Sequence, residues 1–116
     1  MRIKLSGILK KVKQEIINVY GIEKVYADTF DIIKWPEGSS QAAHIDDMTD
    51  AGQGYDFFHH RKYASLIYLN DDFIGGETHY PQYGIEIKPE PGKLALHLGD
   101  KNHLHGVHEI KNGIRY

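Results

Sequence analysis

The chain contains no cysteine, which excludes disulfide frameworks, zinc–thiolate sites and thiol nucleophiles together. Any transition metal must then be held by histidine and carboxylate. An excess of one charge sign is also missing: the net charge is −2 and the isoelectric point is near 6.4. No global field draws the chain toward phosphate backbones or anionic membranes, so nucleic acid is unsupported as a partner. No stretch reaches the roughly 20 apolar residues of a membrane span, and the N-terminal MRIKLSGILKKVKQ lacks the apolar run of a signal peptide. A reducing, cytoplasmic setting and no membrane are the expectation. Low-complexity tracts and internal repeats are absent as well.

What is present is an ordinary globular composition, 41% apolar and 26% charged over 116 residues, enough for one domain spanning 1–116. From Ser6 to Tyr20 the residues Ile8, Leu9, Val12, Ile16, Val19 and Tyr20 recur every three or four positions, with Lys10, Lys11, Lys13 and Gln14 opposite. This spacing predicts an amphipathic helix over about 6–20, with Ser6 as N-cap and Gly21 as terminator. From about residue 23 onward the chain is read as β: VYADTFDIIKW, YASLIYL, ETHY, IEIK, KLALHL and LHGVHEI, separated by turns rich in Gly, Pro, Asn and Asp. Many short strands at turn spacing predict a sandwich or barrel. The 16 residues from Asp47 to Lys62 are long for a connection and are read as a candidate lid or an Ω-loop.

Histidine is the outlier, with eight in the chain. In "AAHIDDMTD" His44 and Asp46 lie two apart and share a face if the segment is extended. Eight histidines and nine aspartates produce about 0.6 such pairs by chance, so the pair alone is also consistent with a polar surface turn. Two histidines and one carboxylate on one octahedral face leave three positions open, as Fe(II) oxygenases require. His103 and His105 are both candidates for the third ligand, and periodicity does not separate them.

The ordered series HID, YLN, GGET, PGKLALHLGD and HGVHEIKNGIRY resembles the 2-oxoglutarate/Fe(II)-dependent dioxygenase superfamily, in its prolyl 4-hydroxylase-like group. The resemblance runs from about Phe30 to Tyr116. It implies a mostly β double-stranded β-helix, a jelly-roll or cupin-like barrel, with the N-terminal helix packed outside. It implies His44, Asp46 and His105 as metal ligands, because Arg115 lies ten residues after His105 at the family's spacing for the residue that binds the far carboxylate of 2-oxoglutarate. Tyr68 matches a tyrosine that bonds the same carboxylate, and Thr78 lines the pocket. His103 and His108 become supporting or surface residues, and His97 takes a core or supporting role rather than ligation.

Trp35 stands where relatives often carry tyrosine. The chain stops one residue after Arg115, where relatives usually continue the strand, so Arg115 is expected to be loosely held. The implied cofactors are Fe(II), 2-oxoglutarate and O2, with ascorbate as a further candidate. The implied reaction is hydroxylation of an unactivated C–H bond with release of succinate and CO2, on a peptidyl or prolyl substrate or else a small molecule. The competing readings are a non-catalytic metal-binding cupin-like barrel and an inactive scaffold of the same fold.

Overall fold

A computed structural model describes residues 5–28, 30–46 and 61–116. The chain divides into two compact units, Met1–Phe30 and Asp31–Tyr116. In the first, helix α1 spans Leu5–Tyr20 and buries Val12 and Ile16. Ser6 lies inside its first turn instead of capping it. Gly21, at φ +64°, ends the helix: the amides of Gly21 and Ile22 both donate to the Ile17 carbonyl, at 2.9 and 3.3 Å. The second of these is the six-to-one closure for which a left-handed glycine is suited. Val19, expected on the apolar face, is 60% exposed.

That unit is built from short antiparallel strands: β1 (Gln41–His44), β2 (Tyr63–Ile67), β3 (Ile74–Gly75), β4 (Thr78–Tyr80), β5 (Ile85–Ile87), β6 (Leu94–Leu98), β7 (His105–Val107) and β8 (Ile110–Asn112). One sheet has the order β1-β7-β4-β5, and two smaller ones pair β2 with β6 and β3 with β8. The architecture is mostly β, a double-stranded β-helix with one N-terminal helix. The run from Val25 to Trp35, expected as a strand, forms only an isolated bridge at Trp35 among the described residues. Tyr26, Phe30, Ile32 and Ile33 are exposed, and β-branched residues make a strand only where a partner is beside them. Conversely, β3 falls in the stretch between YASLIYL and ETHY expected as a turn, and LHGVHEI divides into β7 and β8. The candidate lid falls, except for Arg61 and Lys62, outside the described residues.

The core is small and unusually polar. Beside Tyr68, Tyr80, Ala95, Val107 and Ile110, the buried set of this unit includes Thr78, His97, His105 and Arg115. Polar groups are seldom buried without partners, so their arrangement locates the site. They come from facing elements. Thr78 and Tyr80 alternate with His79 on β4, Ala95 and His97 share the buried face of β6, and Tyr80 reaches across to His97.

Two backbone devices set this arrangement. Gly75 and Gly76 have φ of +80° and +69°, and a Cβ on Gly75 would lie 2.1 Å from the Glu109 carbonyl oxygen. Only glycine fits the bend that leads into β4. The other device is a one-residue slip in β1. Gln41 pairs with Val107, and an unbroken register would set Ala43 against His105, but an irregularity between Gln41 and His44 sets His44 there. Directly opposed residues share a face, so the bulge aligns the two imidazoles.

Candidate metal centre

His44 ends β1 and His105 opens β7. Asp46 lies just past β1 on a turn, so its approach to His44 does not come from strand alternation as the spacing suggested. Asp46 Oδ1 is 3.3 Å from His44 Nε2 and 3.5 Å from His105 Nε2. One ligand atom from each of the three residues lies within 4.8 Å of the others. Ligands at right angles, each about 2.0–2.2 Å from a metal, are about 3 Å apart, so the two measured separations are close to those of a facial set.

The remaining ring nitrogens decide whether these groups suit a cation. His105 Nδ1 donates to the His103 carbonyl at 2.8 Å, and His44 Nδ1 donates to the Ala42 carbonyl at 3.2 Å. Carbonyls accept only, so each neutral ring has its proton on Nδ1 and its lone pair on Nε2, directed at the carboxylate. Two lone pairs and an anionic oxygen converge. A divalent cation relieves that repulsion, and a ring oriented through its other N–H is the usual form of a metal-binding histidine. Burial works to raise the Asp46 carboxyl's pKa, but the surrounding imidazoles of His105, His44 and His97 outweigh it and hold it far below the usual carboxylate range.

Gly106 lets β1 close on β7. A Cβ there would lie 2.7 Å from the Gln41 carbonyl oxygen and 2.8 Å from His79 Nε2. Gly106→Ala is therefore expected to destabilise the fold by about 1–3 kcal/mol. It should also separate His44 from His105, lowering metal affinity at least tenfold. Thermal unfolding and a Mn(II) titration would check the two effects.

Among the other described histidines, His103 and His108 lie outside the triad. His103 bonds Asp100 through Nδ1 and supports His105 through its carbonyl. His108 bonds Glu86 at 2.8 Å and stacks on His79 at 4.0 Å. His97 was expected in a supporting role. It is 5% exposed and bonds Asp46 Oδ2 at 3.0 Å.

A second cluster surrounds Arg115, which is 5% exposed. Its guanidinium donates to the Gly76 carbonyl at 3.1 Å and the Thr78 hydroxyl at 3.3 Å. It lies 4.9 Å from the Tyr68 ring centroid and 5.4 Å from that of Trp35. Among the described residues no carboxylate pairs with it, and burial lowers its pKa from the ordinary value. Tyr68 is fully buried and gives its hydroxyl proton to Thr78 at 2.7 Å. The expected looseness of Arg115 is not found: Trp35 and Arg115 exchange both backbone hydrogen bonds, at 2.8 and 3.0 Å. Trp35 was therefore undervalued by sequence reasoning. Its indole lies beside the guanidinium, and the sequence signal was an aromatic residue preceding a Pro-Glu-Gly turn.

No family model matches the chain. Its fold is similar to that of a solved prolyl hydroxylase, and part of its sequence is similar to another. The viral collagen prolyl hydroxylase from Paramecium bursaria Chlorella virus-1, solved as a 2OG complex, superposes with a TM-score of 0.59 at 19% identity, over 92% of this chain and 65% of its own. Over 61 residues, 48% of this chain, the sequence is 33% identical to prolyl 3-hydroxylase 3 of Mus musculus. The chain spans less than two thirds of the viral protein and 8% of the mouse one. Among the described residues, no helix is long and apolar enough to cross a membrane.

Proposed function

We propose that residues 1–116 act as one Fe(II)- and 2-oxoglutarate-dependent dioxygenase domain that hydroxylates an unactivated C–H bond of a peptidyl or prolyl substrate. A chain without cysteine suits a cytoplasmic setting for this chemistry. The observation that carries the reading is the inner face of β4. Thr78 on that face bonds Arg115, and Tyr80 bonds His97 beside the triad. Two strand residues span roughly 7 Å, about the reach of a five-carbon dicarboxylate held at one end by a cation and chelating a metal at the other.

In this reading His44, Asp46 and His105 hold Fe(II), each ring oriented by a backbone carbonyl. Fe(II) with its co-reactants supplies the oxidation: 2-oxoglutarate becomes succinate and CO2, and one atom of O2 ends in the substrate hydroxyl. The chain itself binds and orients. Arg115 pairs its planar fork with the far carboxylate. Thr78 already accepts from Tyr68 and Arg115, so its own hydroxyl proton is turned to a third group, which the carboxylate provides. Trp35 and Tyr68 flank the guanidinium and keep water from it, which strengthens the ion pair.

The test is succinate release by the purified protein with Fe(II), 2-oxoglutarate and ascorbate, followed by a screen of proline-containing peptides. Succinate that rises with a peptide supports the reading. No turnover and no 2-oxoglutarate binding to the Mn(II)-loaded protein would favour a metal-binding barrel without oxygenase chemistry.

A further inference from the structure

The two oxygens of Asp46 meet different neighbours. Oδ1 faces His44 and His105, whereas Oδ2 is 3.0 Å from His97 Nε2. The other nitrogen of His97, Nδ1, is 2.8 Å from the Tyr80 hydroxyl. A carboxylate oxygen only accepts, so His97 Nε2 carries the proton and donates, and Nδ1 accepts from Tyr80. The neutral ring satisfies both contacts in this one tautomer. His97 lies on β6, paired with Ala64 of β2, and so on a different sheet from both candidate ligand histidines.

A carboxylate can bind a metal through one oxygen or through both. Three protein donor atoms on an octahedral ion leave three positions open, and a second oxygen from Asp46 would take one of them. We infer that His97, itself held by Tyr80, is a positioning residue that ties back Asp46 Oδ2 and keeps this carboxylate monodentate, so that the third open position survives. The inference rests on the dioxygenase reading for its purpose. Its geometry is independent of that reading, since the hydrogen bonds that define it are within the chain.

The oxygen not facing the histidines is the one His97 engages, so removing the donor frees that oxygen without touching a ligand atom. Loss of the partner of a ligating group typically lowers metal affinity roughly 10–100-fold. The experiment is an anaerobic titration of Co(II), then of 2-oxoglutarate, into the wild type, His97→Leu, His97→Gln and Tyr80→Phe. Metal affinity and the Co(II) absorption spectrum are read directly. Expected are a 10–100-fold weaker Co(II) affinity and an altered spectrum for His97→Leu, a smaller change for Tyr80→Phe, and recovery in His97→Gln, whose amide still donates to Oδ2.

A purely structural histidine would not give rescue of the spectrum by glutamine. If His97→Leu does not fold, the comparison of His97→Gln with Tyr80→Phe decides the matter. Wild-type affinity and spectrum in a folded His97→Leu would overturn the inference. So would loss of one nitrogen ligand by X-ray absorption, which would make His97 a ligand. If the wild type binds Co(II) but 2-oxoglutarate leaves its spectrum unchanged, the dioxygenase reading fails, while the metal-affinity and spectral series still tests the tether.

Discussion

Arg115→Met is expected to abolish measurable 2-oxoglutarate binding while leaving the metal affinity of the triad within a few-fold of wild type. Loss of a charge-assisted pair to a carboxylate costs roughly 3 kcal/mol, or about a hundredfold in Kd. The same substitution should not lower the melting temperature of the cosubstrate-free protein. The guanidinium is buried among neutral groups, Gly76, Thr78, Trp35 and Tyr68, and an uncompensated buried charge is a cost to folding that an apolar side chain of similar length removes. Calorimetric titration of 2-oxoglutarate into the Mn(II)-loaded protein, beside thermal unfolding of the same samples, reads both. Arg115→Met that binds normally, or that melts far below wild type, would show that the guanidinium serves the fold instead of a ligand.

Asp46→Asn should separate metal binding from folding in a different way. The amide keeps an oxygen to accept from His97 but replaces the anionic oxygen facing His44 and His105 with an N–H2 group. Metal affinity should fall by more than the 10–100-fold expected from losing a supporting partner. His103→Ala, whose side chain bonds Asp100, should leave affinity nearly unchanged. In the metal-free protein the difference in stability depends on pH. The folded Asp46 pKa is depressed, so the carboxylate's contribution is present above its ordinary value near 3.9 and is lost only as pH falls through the lower folded value. The melting temperature of the wild type relative to Asp46→Asn should therefore fall as the pH drops below about 3.9. Melting curves of both proteins across the acid range check this.

Much of this fold follows from local pattern. Three-and-four spacing marks α1, and the paired glycines before Glu77 mark the bend into β4, because each depends on residues adjacent in sequence. The register of β1 is different in kind. A period of two says that His44 and Asp46 share a face, but the strand ends at His44 and a one-residue slip against β7 determines which side chains align. The bulged strand lies against Gly106, some 60 residues away. His97 and Trp35 were undervalued for a related reason. Alternation on β6 puts His97 inward, but its partner Asp46 and the Arg115 beside Trp35 arrive from distant segments. Pairing across sheets leaves no periodic trace.

The pairing of His44 with His105 also bears on chain entropy. A metal bound to both would tie together residues enclosing about 60 residues, in a protein that has no covalent cross-link of its own. Closing a loop of that length permanently removes on the order of 4 kcal/mol of unfolded-state freedom in the disulfide analogy. A metal that binds only the native state leaves the unfolded chain unrestricted and stabilises by mass action instead. Chelation would then do more than silence a reaction centre: it would remove the tie between β1 and β7 and make their separation easier.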